Sequence, residues 1–290
     1  MAKDLGRGRV QRWTSAPSAR SLSIVLPAHN EEDNIAQAIA EASSIAQELT
    51  PAWEIVTVDD GSTDETAAIV ASIAHDNPRI RLIRFPQNKG YGAALRAGFA
   101  STRGDLIFYT DSDLQFDVSE LRYMLPLLEQ ADVIVGFRVY RYDAVLRCMA
   151  SWIYNKLVSV LFRVNVRDVD CSFKLFRRGF FEMVDLETDD FFIDTEIVAK
   201  ARKWNFRIAE KGVRHYPRRA GESTVRASDV SRTLRTITRM WTRIYLPILS
   251  RRAARTVPVC AHRHDSIPVK VARNGQNGSR SRASMRIAEV

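Results

Sequence analysis

Short apolar runs alternate with amphipathic stretches through the first half of the chain. Ser23-Ile24-Val25-Leu26-Pro27, Glu54-Ile55-Val56-Thr57-Val58-Asp59, Ile80-Arg81-Leu82-Ile83, Leu106-Ile107-Phe108-Tyr109 and Val133-Ile134-Val135 have the length and composition of buried strands. Between them the pattern predicts an Ala/Ile-rich helix ending near Leu49 and a second helix, capped by Thr63 or Asp64 and broken at Asn77-Pro78. A third follows Asn88-Lys89-Gly90-Tyr91-Gly92 through Ala100, and a fourth spans about Ser119 to Glu129. Strands and helices alternating at these lengths predict an α/β fold with a mostly parallel sheet built from right-handed βαβ units. Beyond Gly136 the pattern changes. Residues 144–162 read as a long mixed helix with Ile153, Leu157 and Leu161 on one stripe. A helix near Asp194 to Lys203 and a strand near Arg207 to Val213 follow. Residues 230–249 form a basic amphipathic helix with Leu234, Ile237, Trp241, Ile244 and Ile248 on its apolar stripe, ended or kinked by Pro247.

At 290 residues the chain is long enough for one domain of roughly 200–250 residues with flanks. Its formal net charge of +9 is placed unevenly. Residues 1–20 hold five Lys/Arg against one Asp, 231–250 four Arg and no acid, and 251–290 nine Lys/Arg against two acids, which leaves 21–230 acidic on balance. An acidic body with cationic ends argues against a dedicated nucleic-acid-binding domain and for basic appendages drawn to anionic lipid. The expected division is a disordered basic segment over 1–20, an α/β domain over 21–229, a basic amphipathic helix suited to a membrane surface over 230–250, and a disordered basic tail over 251–290. Trp241 and Tyr245 beside arginines suit a headgroup interface. Cys148, Cys171 and Cys260 show neither metal spacing nor a paired framework, which fits a reducing cytosol. Met1 to Arg20 has no apolar core of a secretory signal, and no run of about 18 apolar residues predicts a spanning helix.

The chemistry collects where the predicted strands end. These ends deliver Pro27-Ala28 with Glu31, then Asp59-Asp60-Gly61-Ser62, then Asp111-Ser112-Asp113-Leu114-Gln115. Ligands of open α/β sheets bind at the carboxyl ends of strands. Two carboxylates one residue apart, followed by an amide, suit an oxygen-preferring divalent cation that also holds phosphates. Glu31 also suits the dipole of a helix start, and Gly61 also serves a simple turn.

Leu26-Pro27-Ala28-His29-Asn30-Glu31-Glu32, Val58-Asp59-Asp60-Gly61-Ser62-Thr63-Asp64, Asn88-Lys89-Gly90 and Asp111-Ser112-Asp113-Leu114-Gln115 occur in that order. Over about residues 21–225 the chain resembles an inverting family 2 glycosyltransferase of the GT-A fold, close to the dolichol-phosphate (polyprenyl-phosphate) mannosyltransferase group. The resemblance implies a Rossmann-like, mostly parallel sheet flanked by helices. It also implies transfer of a hexose, mannose first, from a nucleotide diphosphate sugar, GDP-mannose first, to a polyprenyl or dolichyl phosphate with inversion. Pro27, Ala28, Glu31 and Asp59 would line the nucleoside pocket, with Asp60, Lys89 and Ser112 beside them. Asp111, Asp113 and Gln115 would hold Mg2+ or Mn2+ against the diphosphate. Arg138, Arg147 and Ser151 would receive the acceptor phosphate, Arg147 and Ser151 lying one helical turn apart. Arg218, in Arg218-Arg219-Ala220-Gly221-Glu222-Ser223, would stabilise the departing diphosphate. Asp194, in Asp194-Thr195-Glu196, stands where hydroxyl-acceptor members carry a general base; a phosphate acceptor needs none, and Asp194 would then position substrate.

The chain departs from the group at Cys171-Ser172-Phe173, where Cys-Gly-Phe is usual, at Asp117-Val118, where a proline often follows, and at Thr224, where a lysine is usual. The expected partners are a nucleotide diphosphate sugar, a polyprenyl phosphate and an anionic membrane surface, with no specific nucleic acid. The expected location is the cytoplasmic face of a membrane, held peripherally. Two alternatives remain at this point. One is transfer of glucose or another hexose to a lipid or saccharide hydroxyl with Asp194 as base. The other is an inactive sugar-nucleotide-binding or membrane-tethered interaction protein.

Overall fold

A computed structural model of the chain describes residues 20–139, 145–217 and 230–246, without side chains at 145–150 and 230–235. The expectations for 1–19, for Arg218 and its loop, and for the 251–290 tail fall outside the described residues, as does the Arg147 side chain. Among the described residues seven strands form one sheet: β1 (Leu22–Ala28), β2 (Trp53–Asp59), β3 (Ile80–Arg84), β4 (Leu106–Thr110), β5 (Val133–Arg138), β6 (Phe173–Arg177) and β7 (Ile208–Val213), in the order β3-β2-β1-β4-β6-β5-β7. Parallel pairing joins β1 to β2 and β4, β2 to β3, and β5 to β7. β6 runs antiparallel to both β4 and β5. The mostly parallel sheet is therefore as expected, with one inverted strand that periodicity did not disclose.

Alternating strand residues feed two separate layers, because successive side chains leave a strand on opposite faces. Leu22, Ile24 and Leu26 of β1 and Leu106 and Phe108 of β4 pack with Ile35, Ile39 and Ala42 of α1 (Ile35–Leu49) and with Val70 of α2 (Thr66–Asp76). Val25, Ile107 and Tyr109 point the other way. They meet Leu95 and Phe99 of α3 (Tyr91–Ser101), Val158 and Phe162 of α4 (Val145–Phe162) and Ile193 and Ile197 of α6 (Ile193–Lys203). A short α5 (Gly179–Met183) follows β6.

Two expectations change. The helix placed at Ser119 to Glu129 is a pair of 3-10 turns, Val118–Tyr123 and Leu125–Glu129, the second with Pro126 in its first turn. Proline lacks the N–H that an α-helix needs there and pushes the residue before it away from α geometry. Asp117 accepts from the Ser119 amide at 3.0 Å and so starts the first turn without a proline.

The second change concerns α7 (Val230–Tyr245), which stops just before Pro247 as anticipated. Its apolar stripe is not presented outward. Ile237, Met240 and Ile244 are buried in the same layer as α4 and α6. Trp241 Nε1 donates to the Leu161 carbonyl at 3.1 Å and Tyr245 OH to the Phe162 carbonyl at 3.0 Å. These rings satisfy the open carbonyls at the end of α4, groups that no helical turn can reach. They are not free to lie among headgroups. Among the described residues no helix is long and apolar enough to cross a membrane.

Candidate active site

The ends of β1, β2 and β4 meet, and backbone bonds join them. Ala28 O accepts the Asp60 amide at 2.8 Å, and Pro27 O accepts the Ser112 hydroxyl at 2.7 Å. Asn30 N and Glu31 N donate to Ser62 Oγ (2.9 Å) and Thr66 Oγ1 (2.8 Å), tying the β1 loop to the β2 loop. Ser112, itself buried, thus ties the end of β4 to β1, and Glu31 accepts from Asn34 Nδ2 at 2.8 Å.

Asp59 and Asp60 divide two tasks. Asp60 spends both oxygens on the Lys89 and Gly90 amides, at 2.7 and 2.9 Å, and so shapes the loop before α3. Asp59 is wholly buried; Oδ1 accepts the Ser62 amide at 3.0 Å, while Oδ2 has an ion contact with Arg84 Nε at 3.3 Å and no hydrogen bond. A buried carboxylate oxygen without a hydrogen bond is costly unless a ligand supplies the donor. Gly90 needs its missing Cβ: φ is +102°, and a Cβ would stand 2.3 Å from Asp189 O. Lys89 is exposed, its Nζ lying 4.5 Å over the Phe85 ring.

At the end of β4, Leu114 adopts φ +59°, a left-handed conformation uncommon for a branched residue. The turn sets Asp113 and Gln115 side by side, with Asp113 Oδ1 accepting the Gln115 amide at 3.1 Å. Gln115 Nε2 donates to Tyr216 O at 3.0 Å, which leaves the amide oxygen as a donor to a cation. Tyr91 OH donates to Asp111 Oδ1 at 2.9 Å, and Ser172 bonds the same carboxylate. Burial, and next the charge of Asp113, push the Asp111 carboxyl up to about 7. Two carboxylates that repel each other and one amide oxygen fit a divalent cation. Among the described residues no three His, Cys, Asp or Glu side chains converge into a complete cage, so such an ion would complete its shell with water and phosphate oxygens.

The second half of the chain supplies a third wall, of which the sequence singled out Arg138, Ser151, Cys171-Ser172 and Asp194 but not Asp168, Asp170 or Lys174. Because β6 is antiparallel, its leading segment Asp168-Val169-Asp170-Cys171-Ser172 arrives beside Asp111. Asp168 holds Arg138 in a two-point pair, Oδ2 to Nε and Oδ1 to Nη2, both at 2.7 Å. The Arg138 side chain is 14% exposed and Asp168's 8%. Most of Arg138's fork is therefore spent inside the protein, which departs from an arginine free to receive a phosphate. Ser151 lies on α4, its carbonyl accepting Asn155 Nδ2 at 2.9 Å, and Asn155 Oδ1 accepts the Val169 amide at 2.9 Å. Asp194 is buried at the start of α6 and bonds Lys174 and Tyr109. It is not the unencumbered base of a hydroxyl-transferring enzyme. A second Asp-x-Asp at 168–170 and a lone lysine inside Phe173-Lys174-Leu175-Phe176 were the available signals for this wall.

Asp170 titrates in the useful range. Burial, then Asp194 and Asp168, push it up to about 7 against the pull of Lys174 and Arg138. The unfolded carboxyl titrates near 3.9, so the folded state keeps the extra proton between these values. The stability this confers is full below about pH 4 and lost as pH rises through about 7. Asp170→Asn is expected to melt with wild type near pH 4 and several degrees above it at pH 8, measured by scanning calorimetry in EDTA.

Residues 23–184 match the family model described as glycosyl transferase family 2. The chain belongs to that family. It is 33% identical over 218 residues to glycosyltransferase AglD of Haloferax volcanii, covering 71% of this chain and 35% of that protein. To dodecaprenyl-phosphate galacturonate synthase of Rhizobium johnstonii it is 32% identical over 232 residues, 78% of this chain and 67% of the other. It thus spans between about a third and two thirds of the length of these curated relatives. Glucosyl-3-phosphoglycerate synthase of Mycobacterium tuberculosis, solved with Mn2+, UDP-glucose and phosphoglyceric acid, superposes with a TM-score of 0.60 at 18% identity, over 78% of this chain and 79% of that one. The fold is GT-A, as the motifs implied.

Proposed function

We propose that the protein transfers a hexose from a nucleoside diphosphate sugar to a polyprenyl phosphate with inversion at the anomeric carbon. The observation that carries this reading is the convergence of Asp59, with its unbonded oxygen, and Asp111-Asp113-Gln115 on one sheet edge of a family 2 chain. The dodecaprenyl-phosphate acceptor in one relative's name supports the lipid phosphate. GDP-mannose is the first donor by motif resemblance, with uronate and glucose donors beside it from the proteins named above.

In this reading Asp59 accepts from the nucleoside, and Pro27 and Ala28 line its pocket. Asp111, Asp113 and Gln115 would hold Mg2+ or Mn2+, which when bound would supply charge to the departing diphosphate. A phosphate oxygen of the lipid attacks the anomeric carbon as the bond from that carbon to the diphosphate oxygen breaks, and no proton moves. Ser151 and Arg147, one turn apart on α4, grip the acceptor phosphate. Tyr216, two residues before Arg218, bonds Gln115 through its backbone at 2.7 Å, which supports Arg218 as a cation for the leaving group. The test is a panel of GDP-mannose, UDP-glucose and UDP-galacturonate with Mn2+ or Mg2+, with and without polyprenyl phosphate, read by mass spectrometry of the lipid. One sugar-phosphate lipid is expected. No nucleoside diphosphate released from any donor would sink the enzyme reading.

The membrane contact belongs to α4 rather than to the stripe of α7. Trp152, Ile153 and Val160 are 63%, 58% and 76% exposed, Lys156 and Arg163 are exposed beside them, and α4 contains no acid. An apolar and cationic face of this kind suits an anionic bilayer. Trp152→Ser with Val160→Ser removes roughly 1.5 kcal/mol or more of insertion, so partitioning onto phosphatidylglycerol-containing vesicles should fall about tenfold in a sedimentation assay. Unchanged partitioning would place the contact elsewhere.

A further inference from the structure

Lys174 occupies a place where packing alone would put an apolar residue. Its side chain is 0% exposed in the middle of β6, opposite Tyr109 on β4 and Val135 on β5. An ammonium that deep is tolerated only when its donors and its charge are both met. Cys171 O accepts at 2.7 Å, Tyr109 OH at 3.0 Å, and Asp194 Oδ1 completes the set. The same Asp194 oxygen accepts the Tyr109 hydroxyl, a phenol that burial and then Asp194's charge hold well above its ordinary pKa. Asp194 also lies in the first turn of α6, where the helix dipole favours a negative charge.

This assembly lies close enough to the Asp111 carboxylate for the charge of Asp194 to act on it. Tyr109 precedes Asp111 by two residues on β4, and Cys171, whose carbonyl Lys174 holds, precedes the Ser172 that bonds Asp111. An alcohol acceptor would need a carboxylate here to take its proton. If Asp194 took that proton, the wholly buried ammonium of Lys174 would lose its counter-charge. A phosphate acceptor arrives as an anion and asks for no such transfer.

We propose that Lys174 is a specificity-determining residue: by holding Asp194 as its ion partner, it withdraws that carboxylate from base catalysis and reserves the site for anionic acceptors. The inference rests on the phosphate-acceptor reading above and gives it a physical cause. Asp168 is already committed to Arg138, and Asp170 is separated from this role by the double variant below.

The experiment compares a short polyprenyl phosphate with the matching polyprenol, using the full chain, one active donor and saturating Mn2+. Wild type is expected to favour the phosphate by roughly a thousandfold or more in kcat/KM. Asp194→Asn should lower transfer to both acceptors by a similar factor, leaving the phosphate preference within about threefold of wild type, since wild type draws no base from it. Lys174→Met should raise polyprenol transfer at least about tenfold over wild type, and Lys174→Met with Asp194→Asn should lose that gain.

Thermal midpoints accompany each assay. Should Lys174→Met fail to fold, Lys174→Gln, neutral and of similar length, takes its place with the same expected gain. A polyprenol rate that falls roughly a hundredfold more than the phosphate rate in a stable Asp194→Asn overturns the proposal, because the carboxylate then already serves as a base. Parallel losses toward both acceptors in Lys174→Met, with an unchanged ratio, reduce Lys174 to a structural role and also overturn it. Polyprenol transfer that persists in the double variant does the same by pointing to another base. Wild type inactive on either acceptor defeats the function reading along with this one, a pattern distinct from every other outcome.

Discussion

Asp113→Ala is expected to fold like wild type and to lose roughly a hundred- to a thousandfold in turnover at saturating donor. The side chain is 5% exposed and accepts the Gln115 amide at 3.1 Å. Losing that bond costs about 1 kcal/mol, a modest share of a domain's stability. The functional loss is larger because the leaving diphosphate would face Asp111 with half its charge clamp gone. Turnover measured across a Mn2+ titration separates two causes: weaker ion binding shifts the titration midpoint, whereas a misplaced ion lowers the plateau. Wild-type turnover at ordinary Mn2+ would remove the clamp from the reading.

Asp168→Ala is expected to destabilise the protein by about 3–5 kcal/mol, because it leaves the Arg138 guanidinium buried without its partner. Burial opposes the charge of Arg138, and the hydrogen bonds and charge of Asp168 outweigh it, raising its pKa. Urea unfolding followed by circular dichroism reads the loss. Replacing both residues, as Arg138→Met with Asp168→Leu, should recover most of it, since well-packed apolar pairs often equal a buried ion pair. The double variant also decides Arg138's chemistry. If its acceptor KM is unchanged, Arg138 is an anchor for the 168–172 segment. If the acceptor KM rises severalfold while stability is restored, the guanidinium reaches the phosphate as the motifs implied.

The strand-end acids proposed for the donor were readable because each is contiguous with its strand. A buried strand ends, and the acid that matters is the next residue: Asp59 after Val58, Asp111 after Thr110. The strand that carries Lys174 was not, for a physical reason. Phe173-Lys174-Leu175-Phe176 is short and interrupted by a charge, so period-two counting passes over it, and an antiparallel insertion between β4 and β5 is a long-range event with no local trace. The role of Lys174 depends on residues 65 and 20 positions away in sequence. The stripe of α7 was readable as a face that something covers. Its cover is α4 and α6 rather than lipid, and amphipathicity alone does not distinguish the two.

The inverted strand has a consequence for how such proteins diversify. β1 to β4 pair among themselves, β5 to β7 among themselves, and β4 with β6 is the one strand pairing described between the two groups. The groups meet in the chain near Ala131-Asp132. Residues that would choose the sugar nucleotide come before that junction, and residues that would choose the acceptor come after it. A hybrid spliced there from two relatives must re-fit the strand seam of Leu106 to Thr110 against Phe173 to Arg177 together with the ties across it, among them Arg96 with Asp189, Arg214 with Glu120 and Tyr109 with Lys174. Exchange of donor and acceptor preferences is then expected only between relatives that match those ties.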